Sequence, residues 1–224
     1  MPAPAAVLFD LDGTLIDTTE LILASCAHTF ERHLAGGCPP RDVIVATFGR
    51  SLPEALREMA AREGTGDPEA LAELMLETYR AHNDRHHDTL IRPFEGVEEM
   101  LAALAGAGIR LGVVTSKREG AARRGLQRYG LERFFEAAVF HDDTERHKPH
   151  PEPLLLGARR LAVPSERVIY VGDSVHDIAA GAAAGMQTIA VLWGPFPGAD
   201  LEAARPDRLV ASPGELAALL RVMR

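Results

Sequence analysis

Ala5-Ala6-Val7-Leu8-Phe9-Asp10-Leu11-Asp12-Gly13-Thr14-Leu15 is the stretch that decides the fold. Its uninterrupted apolar run stops at an acidic, glycine-containing segment, which is how a strand buried on both faces of a parallel sheet reads. The strand should end at Asp10. Similar runs recur at Arg110–Thr115, Ala137–His141, Arg167–Gly172 and Gln187–Leu192, with helical patterns between most of them. That alternation implies an α/β fold built on a doubly wound, mainly parallel sheet.

The alternation lapses between about Thr18 and Asp88. Helix-like stretches follow one another there, near Thr19–Leu34, Pro40–Thr47, Leu52–Glu63 and Pro68–His82. They are separated by Gly36-Gly37-Cys38-Pro39, Gly49-Arg50-Ser51 and Gly64-Thr65-Gly66, the turn chemistry expected between short helices. The organisation expected is an α/β core from residues 1–16 and 89–224, with an all-helical unit, 17–88, inserted after the first strand. The chain re-enters the core through Pro93-Phe94-Glu95-Gly96 and a helix, Val97–Ala107, whose Leu101, Leu104 and Ala105 form an apolar face.

Composition removes whole classes of function. With 46% apolar and 25% charged residues the chain is neither disordered nor fibrous. Its formal net charge of -8, with no lysine or arginine run, opposes a nucleic-acid partner. Met1 to Ala6 lacks a charged start and a long apolar stretch, so no signal peptide or membrane partner is expected and the protein is placed in the cytoplasm. Cys26 and Cys38 have no metal-type spacing and read as free thiols. Of the 24 basic residues only Lys117 and Lys148 are lysine, which singles out two positions where a compact point charge has been kept. No motif encodes an oligomeric state.

In an open α/β sheet ligands bind beyond the carboxyl ends of the strands, so the polar residues there carry the functional reading. Asp10 and Asp12 lie two apart in an extended segment and point the same way. One carboxylate can attack phosphorus while the other protonates the leaving oxygen, and both are near enough to share a divalent cation. Thr115 and Ser116 end the strand Leu111–Val114 with a hydroxyl and N–H groups suited to phosphate oxygens. Lys148 sits in His147-Lys148-Pro149-His150-Pro151-Glu152-Pro153, a proline-fixed loop from which it can neutralise a carboxylate and a phosphoryl group. Asp173 and Asp177 follow the apolar run Val168–Val171; with a helix starting near Ser174, Asp173 can bind a hard cation and Asp177 can orient water or a lysine. Arg50, in a Gly-Arg-Ser loop, can reach a substrate carboxylate or second phosphate. His82, His86 and His87, with Asp84 and Asp88, read as the polar terminators of the fourth helix and the linker rather than as a metal cluster.

Phe9-Asp10-Leu11-Asp12-Gly13-Thr14-Leu15, Val114-Thr115-Ser116-Lys117, Lys148-Pro149 and Gly172-Asp173-Ser174-Val175-His176-Asp177 together resemble, in order, the four motifs of the haloacid dehalogenase-like superfamily. The resemblance spans the chain and includes a helical cap after the first motif, on a Rossmann-like core. It implies a phosphohydrolase in which Asp10 is the nucleophile that forms an aspartyl-phosphate and Asp12 the general acid and then base. Thr115, with backbone N–H groups of Asp12, Gly13 and Ser116, would hold the phosphoryl group, and Lys148 would balance charge. Mg2+ would be held by Asp10, the backbone carbonyl of Asp12, and Asp173, with Asp177 behind them.

Within that superfamily, dehalogenases lack the second acidic residue of the first motif, which Asp12 supplies here. Phosphonate-cleaving members use a cap lysine, and none occurs from Asp17 to Leu90. Sugar-phosphate mutases usually lack the acidic residue found here as Asp177, which places a mutase, like a catalytically inactive binding member, behind a hydrolase. Asp17–Ile22, Phe48–Leu52, Tyr79–Asn83 and His87-Asp88 resemble the bacterial inorganic pyrophosphatase branch, and the same frame resembles phosphoglycolate phosphatases. Pyrophosphate and a small phosphorylated metabolite both stand as substrates.

Overall fold

The computed structural model describes residues 4–64 and 66–222. The loop residue Thr65 and the extreme ends of the expected core, 1–3 and 223–224, lie outside the described residues. The chain opens with β1 (Ala6–Phe9) and the short β2 (Ile16–Asp17), then runs through α1 (Thr19–His33), α2 (Arg41–Val45), α3 (Leu52–Glu63) and α4 (Pro68–Leu90) to β3 (Arg92–Pro93). There follow α5 (Val97–Gly106), β4 (Arg110–Val114), α6 (Glu119–Arg128), β5 (Ala137–Val139), α7 (Glu152–Arg160) and β6 (Val168–Gly172). The chain closes with α8 (Val175–Ala183), β7 (Gln187–Val191), α9 (Gly198–Ala203), β8 (Arg208–Val210) and α10 (Pro213–Val222).

The main sheet has the order β5-β4-β1-β6-β7-β8, and every neighbouring pair in it is parallel. β1 is central: Phe9 stands in register with Val113 on one side and Val171 on the other. The two-residue period of a strand sorts its side chains into two cores. Val7 and Phe9, with Val113 and Val171, pack under α5, α6 and α10 through Leu101, Leu126 and Leu216. Ala6 and Leu8, with Val114 and Tyr170, pack under α7 and α8 through Leu154, Ala158 and Ala180. The chain builds outward from β1 to β4 and β5, then returns to the other flank at β6, so the crevice between β1 and β6 is where such sheets bind ligands.

The four consecutive helices form a separate layer with its own apolar cluster, in which Phe30, Leu56, Met75 and Tyr79 are buried. Local signals set their ends. Asp67 caps α4 by accepting from the N–H groups of Glu69 (3.0 Å) and Ala70 (3.4 Å), with Pro68 in the first turn. The chain enters and leaves this layer through β2 and β3, paired antiparallel with Ile16 opposite Pro93 and Asp17 opposite Arg92.

Two expectations need correction, and one strand goes beyond them. α4 continues to Leu90, because its polar residues face inward with partners rather than ending it: Asn83 donates to Tyr79 Oη (3.4 Å) and Ser25 Oγ (3.5 Å), and His87 is buried. The third apolar run stops as a strand at Val139, and His141–Asp143 form a single 3-10 turn in which Asp143 Oδ2 accepts from the N–H of Phe140 at 2.8 Å. β8 escaped notice because its three residues begin with an exposed arginine and carry too short an apolar signal. Among the described residues no helix is long and apolar enough to cross a membrane.

Candidate active site

The carboxyl ends of β1, β4 and β6 converge on a cluster whose centre is Lys148. Its Nζ donates to Asp10 Oδ1 and to Asp177 Oδ1, both at 2.7 Å, and to Tyr170 Oη at 3.2 Å. The side chain is only 1% exposed, so these bonds are made in a desolvated setting where each is far stronger than at a surface. The second oxygen of Asp177 accepts from the N–H and Oγ of Ser174, which caps α8 in return by accepting from the N–H of Asp177. Asp177 is therefore saturated. Asp10 Oδ2, by contrast, accepts no hydrogen bond among the described residues.

Asp173 follows β6 directly and is buried, with Oδ1 accepting from Thr14 Oγ1 at 3.0 Å and Oδ2 without a donor among the described residues. Two glycines make room for it. Gly13 turns the chain at φ +86°, and a Cβ there would lie 2.4 Å from Asp173 Oδ2; a Cβ on Gly194, just past β7, would lie 2.4 Å from Asp173 Cβ. Trp193 Nε1 donates to the Thr14 carbonyl at 2.9 Å and fixes the turn from the other side. Thr14 stood in the first motif without a role, and the Trp193-Gly194 pair carries no charge and matches no catalytic pattern.

Carboxylate oxygens of Asp10, Asp173 and Asp177 lie within 4.8 Å of one another. Three buried carboxylates against one ammonium leave an excess of negative charge, and the acidities follow. Burial, outweighing Lys148, and then the neighbouring Asp177 raise the Asp10 carboxyl from 3.8 to about 7. Burial and the charges of Asp177 and Asp10 hold Asp173 well above 3.8. Burial works against the Lys148 ammonium, yet Asp10 and Asp177 together hold it well above 10.5, so it stays charged. Both partners of the Lys148–Asp10 pair are thus raised; for Asp10 the desolvation of an anion already facing Asp177 overrides the attraction of one cation. An all-oxygen, net-negative set with donor-free oxygens on Asp10 and Asp173 fits a hard divalent cation. The side chain of Asp12 lies outside this group: its Oδ1 accepts from Lys117 Nζ at 2.8 Å.

Thr115 is buried at the end of β4, its Oγ1 accepting from the N–H of Lys117 at 3.1 Å. The Gly13 N–H, expected to face a phosphoryl group, instead donates to the Ile16 carbonyl at 2.9 Å inside the turn. Among the described residues the N–H groups of Asp12 and Ser116 have no partner. Arg50 is held by Glu58, one guanidinium nitrogen donating at 3.0 Å and the other making a closer contact, which raises the arginine pKa further. That partner was not legible locally, because Glu58 lies about two helical turns along α3.

These side chains line a cavity of about 420 Å³ between the strand ends and the helical layer, with Asp10, Asp12, Thr115, Ser116, Lys117 and Arg50 on its wall. Three hydrogen bonds tie the segment before α3 across it: Ser116 Oγ donates to the Gly49 carbonyl (2.7 Å), His141 Nε2 pairs with Ser51 Oγ (3.2 Å), and His176 Nε2 pairs with the Ala46 carbonyl (3.2 Å). Two further residues belong to this arrangement. Lys117 stood in the sequence as a retained lysine at the end of the Thr115-Ser116 motif but without a role, and Tyr170, in mid-strand, read as core. The histidines near the end of α4 stay outside it: His82 stacks between His28 and His86, and His87 pairs with Asp88.

A family model described as haloacid dehalogenase-like hydrolase matches residues 7–191. Pyrophosphatase PpaX of Halalkalibacterium halodurans is 43% identical over 185 residues, covering 83% of this chain and 82% of its own. Pyrophosphatase PpaX of Bacillus pumilus is 39% identical over 214 residues, covering 96% and 95%. The crystal structure of a hydrolase from Pseudomonas syringae has the same fold, with a TM-score of 0.86 at 23% identity over 96% of this chain and 97% of that one.

Proposed function

The chain belongs to the haloacid dehalogenase-like hydrolase family, and we propose that it is a cytoplasmic, magnesium-dependent phosphohydrolase that cleaves pyrophosphate through an aspartyl-phosphate on Asp10. One observation carries this reading: a buried carboxylate at the end of the central strand is gripped by a buried lysine on one oxygen, has no donor on the other among the described residues, and shares a cavity with a second carboxylate.

In this reading Asp10 Oδ2 forms a bond to phosphorus as the bond from phosphorus to the leaving oxygen breaks. Asp12 gives a proton to that oxygen and later takes one from the water that splits the aspartyl-phosphate. Lys117, at 2.8 Å, positions Asp12 for both transfers. Lys148 offsets part of the desolvation that opposes ionisation of Asp10, and the hydroxyl of Thr115 and the N–H groups of Asp12 and Ser116 receive the phosphoryl oxygens. Asp10, Asp173 and the backbone carbonyl of Asp12 would hold magnesium, with Asp177 outside the ligand set; when bound, the ion supplies the positive charge that Lys148 alone does not. Residues 17–88 act as the cap over a core of 1–16 and 89–224, and the Ala46–Ser51 segment is where the cap is seated. Pyrophosphate is preferred because the relatives of highest identity given above are pyrophosphatases by name.

The test is magnesium-dependent phosphate release from pyrophosphate and from 2-phosphoglycolate over a range of concentrations. The expected result is about a hundredfold higher kcat/KM for pyrophosphate, about 2.7 kcal/mol of differential transition-state binding. Asp10→Asn should lower both rates by about 10⁴-fold or more with the fold intact. Residual activity near that of the parent in Asp10→Asn would refute the covalent mechanism.

A further inference from the structure

We propose that Tyr170 is a positioning residue for the reaction: its hydroxyl is the third acceptor that fixes the Lys148 ammonium between Asp10 and Asp177, and hydrolysis slows when that oxygen is removed. This rests on the phosphohydrolase reading above and extends it to a residue that does not touch the substrate.

Position 170 is a core position by every local sign. It is the middle residue of β6, stands in register with Leu8 of β1, and is buried with Ala6, Leu8, Val114 and Ala180. Phenylalanine would fill that space as well. A hydroxyl buried there is unfavourable unless it is hydrogen-bonded. Tyr170 Oη accepts from Lys148 Nζ at 3.2 Å, and its own proton lies between the Val114 carbonyl at 3.2 Å and Asp177 Oδ1 at 3.1 Å. Burial and then the charge of Asp177 hold the phenol well above 10, so it keeps that proton and can donate it.

Matching donors to acceptors gives the oxygen its role. A lysine ammonium carries three N–H donors, and Lys148 has three acceptors for them, Asp10 Oδ1 and Asp177 Oδ1 at 2.7 Å each and Tyr170 Oη. With the two carboxylates alone the ammonium could swing about the line that joins them. A third acceptor, on the neighbouring strand, removes that freedom. The same hydroxyl reaches the carbonyl of Val114, the last residue of β4 and the neighbour of Thr115, so one oxygen ties the strand end that carries Thr115 to the lysine that grips Asp10. Tyr170 is not on the cavity wall, so its effect passes through Lys148 rather than through the ligand. Its loss shifts the ammonium without removing it, and misplacing a group by about 1 Å can cost on the order of 10²-fold in rate.

The experiment removes only the oxygen, as Tyr170→Phe, and follows pyrophosphate hydrolysis at saturating magnesium. kcat should fall ~10–100-fold with KM within about twofold of the parent value. In a Lys148→Met background the same change should alter the residual kcat by less than about threefold, because the hydroxyl then has no ammonium to position. A merely loosened core would lower both backgrounds alike. A third readout needs no turnover. The chain contains only two lysines, Lys117 and Lys148, so isotope labelling of lysine gives two ammonium signals by NMR. Tyr170→Phe should speed hydrogen exchange of the Lys148 ammonium about tenfold or more, the loss of one hydrogen bond to a charged group, and leave Lys117 unaltered. Parental kcat in Tyr170→Phe, an undiminished effect in Lys148→Met, or unaltered exchange at Lys148 would each overturn this inference and leave the phosphohydrolase reading standing. Absence of phosphate release by the parent enzyme from both pyrophosphate and 2-phosphoglycolate would overturn both.

Discussion

Replacing Lys148 by methionine removes the charge around which the site is assembled while nearly keeping the volume of the side chain. The ammonium is 1% exposed and donates to Asp10 and Asp177 at 2.7 Å each and to Tyr170 at 3.2 Å. Its loss leaves two buried carboxylates without their cation, and removing one partner of a buried pair costs about 3–5 kcal/mol. For a chain of this length that is a fall in Tm of roughly 6–20 °C. The cost should depend on pH. Asp10 is raised from 3.8 to about 7, chiefly by burial, so the folded state holds its proton more tightly than the unfolded chain does. The stability this confers is complete below 3.8 and is lost as pH rises through about 7. Without Lys148 the folded-state value rises further, so the loss continues to higher pH and the gap from the parent protein widens above pH 7. Urea unfolding of magnesium-free protein at pH 5.5 and 8.5 measures this, with Lys148→Met/Asp10→Asn as the second arm. The double variant should recover at least about 1 kcal/mol at pH 8.5, since the two sites are in direct contact. A cost below about 1 kcal/mol at both pH values, or a double variant no more stable than the single one, would refute the claim that Lys148 compensates these carboxylates.

Gly13→Ala should destabilise by about 1–3 kcal/mol, since φ is +86° and the new Cβ would sit 2.4 Å from Asp173 Oδ2; calorimetry should also show magnesium binding weakened roughly tenfold or more. In the magnesium-free parent, Tm should fall as pH rises from 5.5 to 8, because burial raises the pKa of both Asp10 and Asp173 and their ionisation adds more negative charge than Lys148 offsets. Magnesium at a hundred times its Kd should add about 2.7 kcal/mol, and titration calorimetry should give a lower Kd at pH 8, where those carboxylates need no proton displaced. Arg50→Ala should change stability by under about 1 kcal/mol, because its partner Glu58 is half exposed. If Arg50 meets the second phosphate, Arg50→Ala raises KM for pyrophosphate about tenfold and Glu58→Gln, which frees the guanidinium, lowers it; no change in either would assign the pair to structure alone.

Much of this protein was legible in the chain because its signals are local. A buried parallel strand must be apolar along its whole length and must end where polar residues begin, so Val7–Phe9 before Asp10, and Val168–Val171 before Asp173, announced both the sheet and its functional edge. The helical insertion was visible because four 3.6-residue patterns followed one another with glycine between them, and the cap of α8 was visible as Ser174 with Asp177 three residues on. Local pattern failed where a tertiary contact reversed its meaning. Asn83 and His87 look like helix terminators until Ser25 and Tyr79 take up Asn83 and the interior takes up His87. The Gly13 N–H looks free until the turn folds it back on Ile16.

What the sequence determined by itself is which residues stand at the strand ends, since period and polarity are properties of a few consecutive residues. What only the tertiary structure decided is which of them meet. Lys148 comes between Asp10 and Asp177, and Lys117 reaches Asp12 across 105 positions of chain. Arg50 turns to Glu58, and Ile22, Phe48, Leu52 and Tyr79 come together on the wall of the cavity that Asp10 and Asp12 also line. The physical reason is that charge and solvation act through space. A carboxyl at 3.8 and one at about 7 have the same local sequence, and burial beside Asp177 and Lys148 makes the difference.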